Sequence, residues 1–407
     1  MPLKILHVSR TAEADAQRSA ESVLRLASGQ RELGHHVEVI TFSQDGLAEL
    51  EASGTMVHRL PRGLGSYGLS RTFVRWLRVH ASRYDCVVVH GIWSFSALGT
   101  WWALRDSTTP FFIFTHGNLE PWFKLHRPLR HMASWLYWPW GVYPALRDAH
   151  SVFFVCDNER QRARETFWLY DCHEFVVRTG VPEIPLKPTF SGPFLAKHPG
   201  LRGRRLFLHI ADHEPRHGIR ALLGALDSLA RVGSWDKASM TLVIAGTPPA
   251  ATRDAAMRSE RLGLGQSVFC AGPLSDDERH DALGLSEAML RPSSSEISAN
   301  RVAESLSVGT PVLLSKGVSI WKDVVNSGAG LADDEDAEGL AKLLGRWLAL
   351  PDAERESMRE LARRCYEERF SMEGAAQSFT SAIYLLIGVH RDGRWDGKPL
   401  KPASELP

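Results

Sequence analysis

The chain has 407 residues, of which 44% are hydrophobic and 23% charged, and its mean hydropathy is −0.18. At roughly 150 residues per domain that length supports two or three domains with cores of their own, which excludes a disordered or fibrous chain. Forty-eight basic against 47 acidic side chains leave a net charge of +1, so no global field draws the molecule to nucleic acid or lipid.

The five cysteines, Cys86, Cys156, Cys172, Cys270 and Cys365, are odd in number and lack CxxC spacing. That argues against a disulfide framework or zinc knuckle and for a reducing cytoplasm. Near the N-terminus, Ile5 to Val8 is too short for a secretory signal and reads as a strand. A helix near 16–33 and a second strand at Val37 to Thr41 complete a βαβ pattern. The stretch Cys86 to Leu104 carries no Lys, Arg, Asp or Glu and is long enough to span a bilayer. Its internal His90-Gly91 favours another reading: a strand at Val87 to Val89, a turn, and a helix from Ser94 to Leu104. Further strands are predicted at Phe111 to Phe114, Val152 to Val155 and Phe175 to Val177. Alternation of this kind predicts a doubly wound parallel sheet whose ligands lie beyond the carboxyl ends of its strands.

Between Gly180 and Gly203 the pattern stops at Pro182, Pro185, Pro188, Pro193 and Pro199, as it would in a linker. A first domain over 1–190 is expected there to give way to a second over 200–370. The alternation resumes with Leu206 to Ile210, Thr241 to Ala245, Val268 to Ala271, Ala288 to Leu290 and Pro311 to Leu314. After Glu335 only helical periodicity remains, ending with Gln377 to Val389 and a polar tail over 391–407. Within 121–147, Trp122, Phe123, Trp135, Trp138 and Trp140 interleave with Lys124, Arg127, Arg130 and Arg147, and no acidic residue occurs. Such a segment suits a membrane interface near anionic headgroups, or equally a tryptophan-rich core with its cations outside. No RNA-binding fingerprint accompanies it, and the G-x-S-x-G, phosphate-loop and H-E-x-x-H patterns of other enzyme classes are missing.

The segment Glu296-Ile297-Ser298-Ala299-Asn300-Arg301-Val302-Ala303-Glu304 follows a strand and a Pro-Ser-Ser-Ser loop and precedes Gly309-Thr310-Pro311-Val312. It resembles the E-x7-E region of retaining glycosyltransferases with the GT-B fold, in particular glycosyltransferase family 4. Thr115-His116-Gly117-Asn118 resembles that family's histidine-glycine turn, and Gly34 to Thr41, Val89 to Trp93, Leu242 to Thr247 and Val268 to Leu274 are also similar to it. The resemblance implies two Rossmann-like doubly wound domains facing across a cleft, with a C-terminal helix over 372–390 packing back onto the first. It implies transfer of a sugar from a nucleotide diphosphate sugar to a glycan or polyprenyl-linked acceptor, in bacterial cell-surface or exopolysaccharide biosynthesis. Glu296 would lie near the transferred sugar, the backbone of Ile297, Ser298, Ala299 and Asn300 would hold the donor, and Glu304 would bind the ribose, whose two hydroxyls a carboxylate accepts together. Gly246 and Thr247 would flank the nucleotide. His116 would face the sugar, with Arg10, His90, Trp93 and Asn118 on the acceptor side.

Two stretches depart from the family. Ser9-Arg10-Thr11-Ala12 stands where the family has a glycine pair, and Asp212 and His217 fall where it has an arginine and a lysine. Arg216 and His217 are then left to meet the diphosphate. Asp212 with Glu214 is a pair of loop charges rather than a cation site, so neither metal nor cofactor is expected. The resemblance further implies a cytoplasmic protein, peripheral at the inner face of the plasma membrane through 121–147, with no nucleic-acid partner. Two other readings are a catalytically silent partner protein of the same fold and a nucleotide-sugar epimerase.

Overall fold

A computed structural model describes residues 2–9, 23, 25–42, 51–52, 54–119, 128–178, 180–185, 192–211, 216–292 and 299–391. The chain divides into two units, Met1–Gly180 with Arg369–Pro407, and Val181–Glu368.

Among the described residues of the first unit, β1 (Lys4–Ser9), β2 (His36–Thr41), β3 (Met56–Arg59), β4 (Cys86–His90), β5 (Phe111–Phe114), β6 (Ser151–Phe154) and β7 (Glu174–Val176) form one parallel sheet. Their order is β3-β2-β1-β4-β5-β6-β7, so the direction of winding reverses between β1 and β4. Both faces are covered, which is why β4 and β5 read as near-continuous apolar runs. On one face Leu6, Val87, Val89 and Ile113 pack with Phe73, Phe95 and Trp138. On the other, Ile5, Val88, Phe112 and Phe153 pack against Phe379, Ile383 and Leu386 of the helix Met372–Arg391. The uncharged stretch after Asp85 is strand β4, a turn and the helix Phe95–Leu104. Among the described residues no helix is long and apolar enough to cross a membrane.

The second unit starts at Val181, earlier than the boundary at 190 read from the prolines. Specific contacts fix the start: the Tyr366 hydroxyl donates to Val181 O at 2.8 Å, and Arg363 pairs with Glu183 at 2.5 Å. The proline-rich stretch is not all linker either, because Pro193–Lys197 is a short helix whose entry is held by Asp281, which accepts from the Gly192 and Phe194 amides at 3.1 Å. Strands β8 (Arg205–Ile210), β9 (Met240–Ala245), β10 (Val268–Gly272), β11 (Ala288–Arg291), β12 (Val312–Ser315) and β13 (Gly330–Asp333) form a second parallel sheet in the order β10-β9-β8-β11-β12-β13. Its winding reverses between β8 and β11. Leu222, Leu226 and Leu229, spaced along one face of the helix Arg216–Arg231, pack with Leu340, Leu344 and Trp347 over Phe207, Leu242 and Leu313.

Candidate active site

In an open parallel sheet the crevice for ligands lies outside the carboxyl ends of the strands, where the winding reverses. In the first unit that place is marked by histidines. Side chains alternate between faces along a strand, so Ile5 and His7 share a face, as do Val88 and His90, and Phe112 and Phe114. Neighbouring strands are in register, with His7 opposite Val88 and His90 opposite Phe114. His7 of β1 and His90 of β4, on the same face of adjacent strands, are therefore brought side by side. His7 Nδ1 lies 2.8 Å from His90 Nε2, and His90 Nδ1 lies 2.9 Å from His116 Nε2. Behind them His7 Nε2 lies 2.8 Å from Oε1 of Gln30, on the helical segment 25–32. His7 and Gln30 are 0% exposed and His90 is 3% exposed, whereas His116 is half-buried. Desolvation lowers the His7 pKa to about 4 and those of His90 and His116 far below the usual imidazole range, the latter to about 3, so the line is neutral at physiological pH.

His116 has φ +50°, the one positive φ outside glycine among the described residues. A non-glycine residue in that region costs energy and needs surroundings that enforce it. The enforcement comes from Glu159, which is buried at the start of the helix Asp157–Ala163. Its Oε1 accepts from the Thr115 hydroxyl at 2.6 Å and from the Gly117 amide at 2.9 Å, and its Oε2 accepts from the Val155 amide at 2.6 Å. The turn is further pinned by the Asn118 side-chain amide, which donates to Thr115 O at 2.7 Å, and by the Trp93 indole N–H, which donates to Asn118 O at 3.1 Å. The Phe114 ring stands edge-on to His116, with centroids 4.1 Å apart.

In the second unit the reversal point between β8 and β11 also carries buried polar groups. Arg291, 1% exposed, donates from Nη1 to Ile210 O, and His209 Nδ1 lies 3.1 Å from Leu290 O. On the helix Ala299–Ser307, Glu304 receives two contacts from Arg301 Nη1, at 2.7 and 2.9 Å, and Arg279 Nε approaches it at 3.3 Å. Gly246 follows β9 with φ +77°, and the Thr247 hydroxyl lies 2.6 Å from that of Thr252. A groove of about 450 Å³ lined by Arg205, Glu287, Trp347, Arg355 and Arg359 opens in this unit. It lies at the amino end of β8, away from the strands' carboxyl ends, and Arg205 is spent there on a bidentate pair with Glu287 at 2.6 Å.

Of the residues singled out from sequence, His90, Trp93, His116 and Asn118 are brought together in the first unit. Both ring nitrogens of His90 are engaged by His7 and His116. Trp93 and Asn118 hold the turn through their polar atoms. Gly246, Thr247, Asn300 and Glu304 belong to the second unit. Arg10, Asp212, Glu214, Glu296, Ile297, Ser298 and the residues 121–127 lie outside the described residues, as do the side chains of Arg216, His217 and Ala299. Sequence reasoning missed Gln30, His7, Glu159 and Arg291. A polar residue on the inner face of a strand buried on both sides was the available signal for His7 and Arg291.

Comparison with known proteins assigns these two halves. Residues 19–180 match the family model of a glycosyl transferase 4-like domain, and residues 195–365 that of glycosyl transferases group 1. A crystal structure of a glycosyltransferase from Rickettsia africae superimposes with a TM-score of 0.71 at 15% identity, covering 95% of this chain and 99% of that one. Both units are glycosyltransferase domains, and the fold is GT-B. HepE of Anabaena, solved in complex with UDP and glucose, has the same fold at a TM-score of 0.68 and 15% identity, with 94% and 99% covered. A further similarity, 27% identity over 183 residues, is to the lipopolysaccharide 1,2-N-acetylglucosaminetransferase of Salmonella typhimurium. That match covers 43% of this chain and 46% of the relative, so the chain spans about half the length of the curated protein it matches. Gln30, His90 and His116 fall within the 4-like match and Arg291 and Glu304 within the group 1 match, while His7 precedes the first of them.

Proposed function

We propose that this GT-B chain moves a sugar from a nucleoside diphosphate sugar to a hydroxyl of a glycan or polyprenyl-linked acceptor, with retention of anomeric configuration. The observation that carries the reading is the His116 turn, a neutral imidazole fixed in a costly backbone conformation beyond the carboxyl end of β5. A neutral ring hydrogen-bonds a sugar hydroxyl without setting a fixed charge beside an oxocarbenium-like centre. HepE, solved with UDP and glucose, supports a uridine nucleotide sugar as donor class. The Salmonella relative supports a place in cell-surface glycan assembly.

In this reading Glu304 accepts the ribose hydroxyls. Its carboxylate keeps lone pairs beyond those taken by Arg301 and is held in one orientation by that contact. Glu296 and the amides of 297–300 face the sugar, and Gly246 and Thr247 flank the nucleotide. Arg216 and His217 meet the diphosphate at the start of a long helix whose first amides favour an anion. The reading assigns no metal and no cofactor. It places the chain at the inner face of the plasma membrane through 121–147, where Trp135, Leu136 and Trp140 are exposed.

The test combines thermal-shift measurements against UDP-, GDP- and ADP-sugars with a transfer assay of Glu296→Gln and Glu304→Gln. One nucleotide class is expected to raise the melting temperature, and each variant to lose transfer by about a hundredfold or more. No shift with any donor, or transfer unchanged in both variants, overturns the reading. Isomerised sugar released without an acceptor would mark an epimerase instead.

A further inference from the structure

Gln30, His7, His90 and His116 form one unbranched line, and the line has a direction. Each neutral imidazole carries a single ring proton, so each ring-to-ring contact holds one proton, and a choice made at one end is copied to the other. The contacts are His7 Nδ1 to His90 Nε2 at 2.8 Å and His90 Nδ1 to His116 Nε2 at 2.9 Å. At the inner end the choice falls to Gln30, whose Oε1 lies 2.8 Å from His7 Nε2. An amide oxygen only accepts. His7 therefore donates from Nε2 and accepts at Nδ1, which obliges His90 and then His116 to do the same. We propose that Gln30 is a positioning residue which, through His7 and His90, fixes His116 as its Nε2–H tautomer, so that the ring offers a bare Nδ1 to a substrate hydroxyl. That the hydroxyl belongs to a sugar rests on the function proposed above; the tautomer does not.

Two further observations support the assignment. The line is not a metal site, because its nitrogens face one another in series, and no group of His, Cys, Asp or Glu among the described residues is arranged to hold a metal. Gln30 is fully buried, yet its Nε2 has no hydrogen-bond partner among the described residues. An amide with an unpaired N–H is a costly filler where Leu or Met would pack without penalty. What it supplies here is a polar group facing His7: with the oxygen in that place the line runs as above, and with the amide nitrogen there it would run the other way and leave His116 protonated on Nδ1. The consequence for substrate choice is concrete: the hydroxyl that meets His116 must donate, so replacing it with fluorine, which only accepts, is as harmful as removing it.

The experiment is nitrogen-15 NMR of histidine-labelled full-length protein at pH 7.5, with ring signals assigned by their loss in single histidine variants. The expected pattern is a protonated Nε2 and a bare Nδ1 on all three rings. Gln30→Leu is expected to mix the His116 tautomers, although residue 30 does not touch that ring, and Gln30→Glu, which keeps an acceptor, is expected to restore the pattern. A protonated Nδ1 on His116 in the unaltered protein overturns the proposal, as does an unchanged His116 pattern in a folded Gln30→Leu variant. If Gln30→Leu does not fold, the spectrum of the unaltered protein still decides. Because the readout is spectroscopic, a failed transfer assay would remove the functional reading and leave this result standing.

Discussion

His116 keeps an imidazole where its backbone favours glycine, and Glu159 makes that possible. Substituting Glu159→Ala takes this acceptor from the buried Thr115 hydroxyl and from the half-buried Gly117 and Val155 amides. Each such loss costs about 1–3 kcal/mol, so a clear fall in melting temperature is expected, together with loss of transfer. An unchanged melting curve would show that the carboxylate does not hold the turn. His116→Gly separates the two properties. It relieves a strain of order 1 kcal/mol while removing the ring, so the protein is expected to stay folded by circular dichroism yet transfer sugar about a hundredfold more slowly. Transfer within threefold of the parent would remove His116 from the site. His90 and His116 were legible in the sequence because each sits beside a glycine after an apolar run. Gln30 and Glu159 were not, since their partners lie 23 and 42 residues away along the chain, and nothing local distinguishes them from surface helix residues.

At the scale of elements, a row of neutral imidazoles across β1, β4 and the turn after β5 ties stability to pH. The His7 pKa falls from its ordinary 6.5 to about 4 in the folded protein, and His90 moves the same way. The unfolded chain therefore binds protons that the folded one refuses, and stability is lost as pH drops from about 6.5 towards 4. Each refused proton costs up to about 1.4 kcal/mol per pH unit in that window, and none above it. Urea midpoints are expected to fall between pH 7 and pH 5, with a shallower slope in His7→Gln; equal midpoints across that range would contradict buried neutral rings. Most strands were readable because β-branched and aromatic runs such as Val87 to Val89 and Phe111 to Phe114 have few alternatives. Strand β3 was passed over because Met56–Arg59 is a short, half-exposed edge, and β13 because Gly330–Asp333 has no β-branched residue. Their pairing is decided by neighbours, not by local preference.

At the scale of the molecule, the first unit is discontinuous in sequence. Phe379, Ile383, Leu386 and Ile387 are buried against its sheet. At roughly 1.5–3 kcal/mol for each large apolar side chain, these four contribute about 6–12 kcal/mol, comparable to the whole stability of a typical domain. Truncation after Glu368 is accordingly expected to unfold the first unit while the second keeps its protection in hydrogen exchange. Native-like protection of β1 and β4 in the truncated protein would show that the helix is dispensable. The same arrangement bears on biosynthesis. The face formed by Ile5, Val88, Phe112 and Phe153 emerges from the ribosome long before the segment that covers it, because all of 181–368 must be made in between. At about 5–20 residues per second that interval is roughly 10–40 s. For that time the aromatic side chains of this face are left to water until the ribosome delivers Phe379.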